Sequence, residues 1–145
     1  MSENILERVL LPIASPKDAR TTCELALPRI ADANGSVICV NVVEKGGGSL
    51  DPTSPTQQEE RAEEVFEIVT DECEVKGIPL ETRILYGTDV VETIFEAAEE
   101  EDVTAIAFTP RESNRLTDLL AGSPGYSIMK RASRPVVVFP PRSDD

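Results

Sequence analysis

Short apolar runs alternate along the chain with longer segments whose apolar residues recur at helical spacing, and this alternation constrains the fold more than any other feature. The runs predict strands at residues 9–14, 36–44, 80–86 and 103–108 and a last strand from Pro135 to Phe139. Most of them lack polar alternation, which is typical of strands buried on both faces of a sheet. Pro12 cannot donate to a ladder, so the first strand is expected to leave the sheet near it.

Helical periodicity fills the intervals between these strands. It predicts helices at residues 19–31, 62–76, 91–98 and 128–132. Asn34-Gly35 and Lys76-Gly77 are stop signals, and Asp89 with Glu92 three residues later is typical of a helix start. Pro28 removes a hydrogen bond inside the first helix at a cost of about 3 kcal/mol, so a kink or an early end is expected there. Glycines and prolines at positions 46–55 predict a loop, either a surface connection or a lid.

The order of these elements predicts the fold class. Strict alternation of strands with helices indicates right-handed crossovers and an α/β fold with a five-stranded parallel sheet covered on both faces. The 145 residues suit one domain, spanning 1–145, with a single core.

Charge and composition exclude several function classes. The formal net charge of −13 and the scattered lysines argue against nucleic acid as a partner. The many carboxylates resemble the composition of proteins from salt-loving microbes. The chain contains no histidine, which removes serine–histidine and cysteine–histidine catalysis and histidine-ligated zinc. We therefore do not expect an enzyme.

Cysteines and the start of the chain bear on the compartment. Cys23, Cys39 and Cys73 are odd in number and lie in apolar periodic segments, which predicts free core thiols in a reducing cytoplasm. Residues 1–8 show no signal-peptide pattern, and no apolar run approaches the length that crosses a bilayer. We expect a cytoplasmic protein without membrane insertion.

The loop at residues 109–125 carries the main candidate site. Ligands of open parallel sheets bind beyond the carboxyl ends of the strands, and this loop follows the fourth strand. Gly122-Ser123 stands before the fourth helix, where glycine admits close backbone approach and free amides donate to a phosphate. The alternative is that the pair only caps the helix.

At this point the chain resembles the universal stress protein family over nearly all of its length. The resemblance lies in Val9-Leu-Leu-Pro-Ile, in Val40-Asn-Val-Val, and in the segment from Gly122-Ser123 to Arg134-Pro135-Val-Val-Val. It implies a doubly wound sheet with strand order 3-2-1-4-5 and homodimers formed through the last strand. In one branch of the family it also implies ATP binding.

This chain departs from the ATP-binding pattern, which is Gly-x-x-Gly, nine residues, then Gly-Ser or Gly-Thr. Thr109 and Glu112 replace the two glycines, and Ala14 replaces an aspartate expected after the first strand. Gly125 replaces a hydroxyl residue. A carboxylate about 4 Å from a phosphate costs roughly 4 kcal/mol in an effective dielectric constant near 20, so Glu112 opposes nucleotide phosphates.

From these departures we expect a non-catalytic regulatory protein that lacks tight ATP binding. It would act through dimerisation and through contacts with an unidentified protein partner. The alternative is a sensor that binds ATP or AMP with Arg111 in place of the glycine contacts. An adenylating or phosphoryl-transfer enzyme and a domain that docks on a transporter also remain open. The resemblance implies ligand-facing positions at Pro12, Ile13, Ala14, Val42, Thr109, Arg111, Gly122, Ser123, Pro124 and Gly125.

Overall fold

The computed structural model describes residues 4–44, 55–109 and 132–139. Its strands are β1 (Arg8–Pro12), β2 (Ser36–Glu44), β3 (Leu80–Gly87), β4 (Ala105–Phe108) and β5 (Val136–Val138). Its helices are α1 (Pro16–Asp32), α2 (Pro55–Lys76) and α3 (Val90–Glu100). Strands and helices thus alternate as the sequence predicts.

The strands form one parallel sheet with the order β3-β2-β1-β4-β5, which confirms the predicted topology. β1 is central: Val9 pairs with Val37 of β2 on one side and with Ala105 of β4 on the other. A strand with two neighbours and a covered face on each side must be apolar throughout, and the residues at positions 9–12 are all buried.

Two core clusters lie on opposite faces of the sheet. Val9 and Leu11 pack in the cluster that contains the buried residues of α1 and α2, whereas Leu10 packs with those of α3. Successive side chains of a strand point to opposite faces, so this alternation places α1 and α2 in one layer and α3 in the other. The predicted arrangement of helices on both faces is confirmed.

The predicted effect of Pro28 was partly wrong. α1 does not end there but continues to Asp32. Pro28 and Glu24, whose carbonyl loses its usual donor, are both exposed, so water can satisfy that carbonyl. On the other side of this turn Leu27 and Ile30 are fully buried, and their packing outweighs the missing bond.

Predicted helix ends match those of the structure closely, whereas the predicted start of α2 was wrong: the helix begins at Pro55, seven residues before the predicted position 62. Asn34 adopts φ 57° just after α1, and Gly77 adopts φ 69° just after α2. The Asp89 carboxylate accepts a hydrogen bond from the backbone N–H of Glu92 at 3.1 Å and caps α3. These are the stop and start residues that the sequence indicated.

Two segments with predicted structure lie outside the described residues. They are the loop before α2, apart from Pro55, which begins that helix, and the fourth helix up to position 131. Ala132, the predicted last helical residue, is not helical and packs against the α3 cluster. β5 then follows as a strand of three residues, shorter than predicted.

Ion pairs stabilise the start of β5 and the amino end of the sheet. The Arg134 guanidinium lies 3.0 Å from Asp102 and 3.3 Å from Glu99. Arg8 lies 3.2 Å from both Glu81 and Glu101, so these ion pairs of the described residues lie away from the carboxyl ends of the strands. Among the described helices, none has the length and apolar character needed to span a membrane.

Candidate functional site

The carboxyl end of β1 leads directly into α1 through a turn whose backbone groups are fixed by other elements. Pro12 is the last residue of β1, Ile13 is buried, and Ala14 is exposed. The Ile13 N–H donates to the Val40 carbonyl at 3.0 Å, which extends the β1–β2 contact by one residue beyond the strand. The turn therefore lies at the sheet edge where ligands of open α/β folds bind.

Asp18 is a buried acid in the first turn of α1. Its side chain is 3% exposed, and its carboxylate accepts a hydrogen bond from the Ala14 N–H at 3.2 Å. The Asp18 N–H in turn donates to the hydroxyl of Ser15, which caps the helix. An acid in the first turn also interacts favourably with the helix dipole. Asp18 thus holds the turn against its own helix.

Asn41 holds the same turn from the β2 side. Its side chain is 6% exposed, and its Nδ2 donates to the Ile13 carbonyl at 2.8 Å. A buried amide is stable in a sheet only when it is hydrogen-bonded. The polar residue within the apolar β2 therefore fixes the path of the chain as it leaves β1.

A hydroxyl pair joins the end of β4 to α1. The Oγ1 atoms of Thr22 and Thr109 lie 2.8 Å apart, and both residues are buried. Thr109 follows the last residue of β4, while Thr22 lies one helical turn after Asp18. The first residue of the loop at positions 109–125 is therefore committed to an internal contact.

The sheet order brings the described candidate residues to one edge. β1 lies between β2 and β4, so Pro12, Ile13 and Ala14 lie between Val42 and Thr109. The other candidates lie outside the described residues: Arg111, Gly122, Ser123, Pro124 and Gly125. Glu112, the acid predicted to oppose phosphates, lies outside them as well.

Three polar residues of this edge were missed from sequence: Asp18, Thr22 and Asn41. Two of them carried a signal. Ser15 followed by an acid three residues later is a helix-start pattern, and Asn41 interrupts an apolar strand. Thr22 carried none, because a threonine on a helix is ordinarily a surface residue.

The contacts found at the described edge are hydrogen bonds, and the three cysteines of the chain are buried in the core. Burial, above all, raises the pKa of Cys39 in β2, and the nearby Cys23, Cys73 and Asp18 raise it further. Burial likewise raises the pKa of Cys23 to about 12 and that of Cys73 to about 11. Thiols with raised pKa are poor nucleophiles and metal ligands. No group that could hold a metal ion occurs among the residues that the structure describes.

Acid–hydroxyl contacts also mark the carboxyl end of β3. Tyr86 donates to the Glu59 carboxylate of α2, and this hydrogen bond raises the pKa of the tyrosine. Beyond the strand, the Thr93 hydroxyl donates to the Asp89 carbonyl at 2.7 Å. These exposed contacts lie at the carboxyl end of the outer strand β3, which β2 separates from β1.

A model of a known protein family matches most of the chain. The model of the universal stress protein family matches residues 6–140. No curated protein matches the chain.

Solved structures with the same fold are distant in sequence. A universal stress protein family member from Burkholderia pseudomallei is 17% identical, with a TM-score of 0.70 over 94% of this chain and 98% of that one. The universal stress protein of Archaeoglobus fulgidus in complex with dAMP is 18% identical, with a TM-score of 0.64 over 91% and 96%. Another universal stress protein, solved in complex with cAMP, is 15% identical, with a TM-score of 0.65 over 91% and 95%. Identities this low establish the shared fold.

Proposed function

The chain belongs to the universal stress protein family, and from that premise we propose that it is a non-catalytic stress-response regulator that acts as a homodimer and lacks tight ATP binding. The observation that carries the proposal is the Thr22–Thr109 hydroxyl pair at 2.8 Å. Position 109 is where the ATP-binding branch has its first glycine. A glycine there would leave the backbone open to a phosphate, whereas the threonine side chain is packed against α1.

Two other positions of the nucleotide-binding pattern also support the lack of tight ATP binding. Ala14 stands where the nucleotide-binding pattern has an aspartate, and its amide is bonded to Asp18. At position 112 a glutamate replaces the second glycine. Each change removes a ligand contact or adds negative charge, so the effects reinforce one another.

The dimer is proposed to form through β5. This strand pairs with β4 on one side and lies at the edge of the sheet, and Val138 is 46% exposed. An exposed edge strand is a template for pairing with another chain, and two copies related by a twofold axis would cover each other's edge. We propose that the assembled dimer presents the surface that contacts a further protein partner.

The composition supports a salt-rich cytoplasm as the setting. A net charge of −13 destabilises the compact chain through repulsion between its carboxylates, and high ionic strength screens that repulsion. Its buried cysteines are free, which fits a reducing compartment. No resident cofactor is proposed.

The direct test is equilibrium dialysis of the purified protein against ATP and AMP. The proposal expects no saturable binding at micromolar nucleotide, and micromolar affinity for ATP would overturn it. A second candidate, an ATP or AMP sensor, is favoured by the related proteins solved with cAMP and dAMP. If nucleotide binds, Ser123→Ala should weaken it, because the sensor relies on the Gly122-Ser123 phosphate contact. An unchanged affinity in Ser123→Ala would exclude that sensor.

A further inference from the structure

β3 is the second outer strand of the described sheet, and its backbone groups alternate between two sides. The Val37 N–H donates to the Pro79 carbonyl at 2.9 Å, which sets the hydrogen-bonding register of β2 with β3. Alternate residues of a strand in a parallel ladder face the neighbouring strand, so the backbones of Glu81 and Arg83 bond to β2. The N–H and carbonyl of Thr82, between them, therefore point outward, where an added strand would bond.

The outward carbonyl of Thr82 already has a donor within its own strand. Arg83 Nη1 donates to it at 2.9 Å. Nη2 of the same guanidinium lies 2.8 Å from the Glu81 carboxylate, and Nε lies 3.5 Å from that of Glu101. Each nitrogen of Arg83 thus has an acceptor beside it. An incoming strand would have to break the Arg83 bond before its own N–H could reach the Thr82 carbonyl.

Arg8 completes a ring of four charges with these residues. It lies 3.2 Å from both Glu81 and Glu101, the two acids that Arg83 contacts, and its Nε donates to the Glu101 carbonyl at 2.8 Å. Arg8 begins β1, Glu101 follows α3, and the other two members belong to β3. A single exposed ion pair contributes little, but a network that joins three elements holds the Arg83 guanidinium beside the edge.

From these contacts we propose that Arg83 blocks strand pairing at the β3 edge, so that copies of this chain associate through β5 alone and assembly ends at two. β5 differs from β3 because it consists of three valines and carries no charge. Charged side chains on an outer strand oppose edge-to-edge association, whereas a chain with two open edges would add copies at both. The limit of two copies rests on the proposed homodimer, but the blocked β3 edge does not.

Arg83→Thr tests the proposal, because threonine suits a strand but has no guanidinium to occupy the Thr82 carbonyl. Arg20→Thr is the matched control: Arg20 is exposed on α1, and each variant removes one positive charge. Both substitutions are also placed in Val138→Lys, in which the new charge on the exposed position of β5 should prevent pairing through that strand. The second background therefore isolates the β3 edge.

Sedimentation equilibrium of the full-length proteins, from micromolar to millimolar concentration, gives the first readout. The parent and Arg20→Thr should remain dimers, whereas Arg83→Thr should form species heavier than two chains. In the Val138→Lys background, Arg83→Thr should self-associate at least about tenfold more tightly than Val138→Lys alone, because pairing no longer breaks a charge-assisted hydrogen bond. Hydrogen exchange at the outward Thr82 N–H should slow in these assemblies, because a paired strand protects it.

The proposal is overturned if Arg83→Thr fails to associate beyond its reference protein in both backgrounds. It is also overturned if Arg20→Thr associates to the same extent, or if exchange at Thr82 is unchanged in the heavier species. A monomeric parent would instead refute the proposed homodimer, and the Arg83→Thr comparison would still test the β3 edge. Circular dichroism verifies folding, and Arg83→Gln replaces the threonine variant if that variant does not fold.

Discussion

Replacing Asn41 by aspartate should destabilise the protein strongly at neutral pH and much less in acid. The Asn41 amide donates to the Ile13 carbonyl at 2.8 Å in a site that is almost closed to water. An ionised aspartate would lose that hydrogen bond, worth about 1 kcal/mol, and would turn a carboxylate oxygen toward a carbonyl oxygen. Burial should raise the pKa of the new carboxyl by about 2, which corresponds to about 2.7 kcal/mol. The expected loss at pH 7 is therefore about 3–4 kcal/mol.

The pH dependence has a definite sign. A carboxyl whose pKa is higher in the folded protein than in the unfolded chain binds more protons when folded, so stability falls as pH rises between the two values. Near pH 4 and below, the neutral carboxyl can donate to the Ile13 carbonyl and most of the loss should vanish. Urea unfolding of parent and variant at each pH gives the difference in unfolding free energy directly.

Asn4→Asp is the matched control for this prediction. The Asn4 Nδ2 donates to the Ala33 carbonyl at 2.7 Å, a bond of the same kind, but the side chain is half-buried. Its loss should stay below about 1 kcal/mol and vary little with pH, because water can solvate the carboxylate. Equal losses in the two variants, or a loss in Asn41→Asp that does not depend on pH, would refute the assigned role of Asn41.

Three further predictions concern the core, the cysteines and the dimer. Gly35→Ala should lower the free energy of unfolding in urea by about 2–4 kcal/mol, because the new Cβ would come within 1.9 Å of the Leu6 carbonyl oxygen. Gly77→Ala has open space around it and should cost only about 1 kcal/mol, because alanine disfavours the positive φ of this residue. Similar losses in the two variants would contradict this distinction. A thiol-specific chromogenic reagent at pH 8 should label the three cysteines rapidly only after unfolding, because burial raises their pKa; rapid labelling of the native protein would contradict the buried cluster. Val138→Lys should shift the protein from dimer to monomer in sedimentation experiments. Val75→Lys changes a position on α2 that is 83% exposed and should leave the mass of the assembly in solution unchanged. A dimeric Val138→Lys would exclude the β5 interface.

Strand positions and helix ends could be predicted from sequence because they depend on local patterns. Apolar runs, stop residues such as Asn34-Gly35 and the Asp89 cap act within a few residues of themselves. The family resemblance then supplied the order of the strands. Pro28 shows where local rules fail: the packing of Leu27 and Ile30 and the solvent exposure of Glu24 kept the helix intact, and neither follows from local helix propensity.

The candidate site was less predictable because its contacts join distant parts of the chain. Thr22 and Thr109 are 87 residues apart, and Asn41 and Ile13 are 28 apart. Sequence periodicity places each residue on an element but does not say which side chains meet at the sheet edge. Ala14 and Thr109 were recognised as departures from a nucleotide-binding pattern, whereas the acid and the amide that hold the turn were identified only in the structure.

Native mass spectrometry of the purified protein in the presence of ATP tests the central claim most directly, because one spectrum reports both assembly and bound ligand. The account predicts a homodimer whose mass equals two chains without nucleotide at micromolar ATP. A saturable species that carries one ATP per chain would contradict it and would identify the protein as a nucleotide sensor.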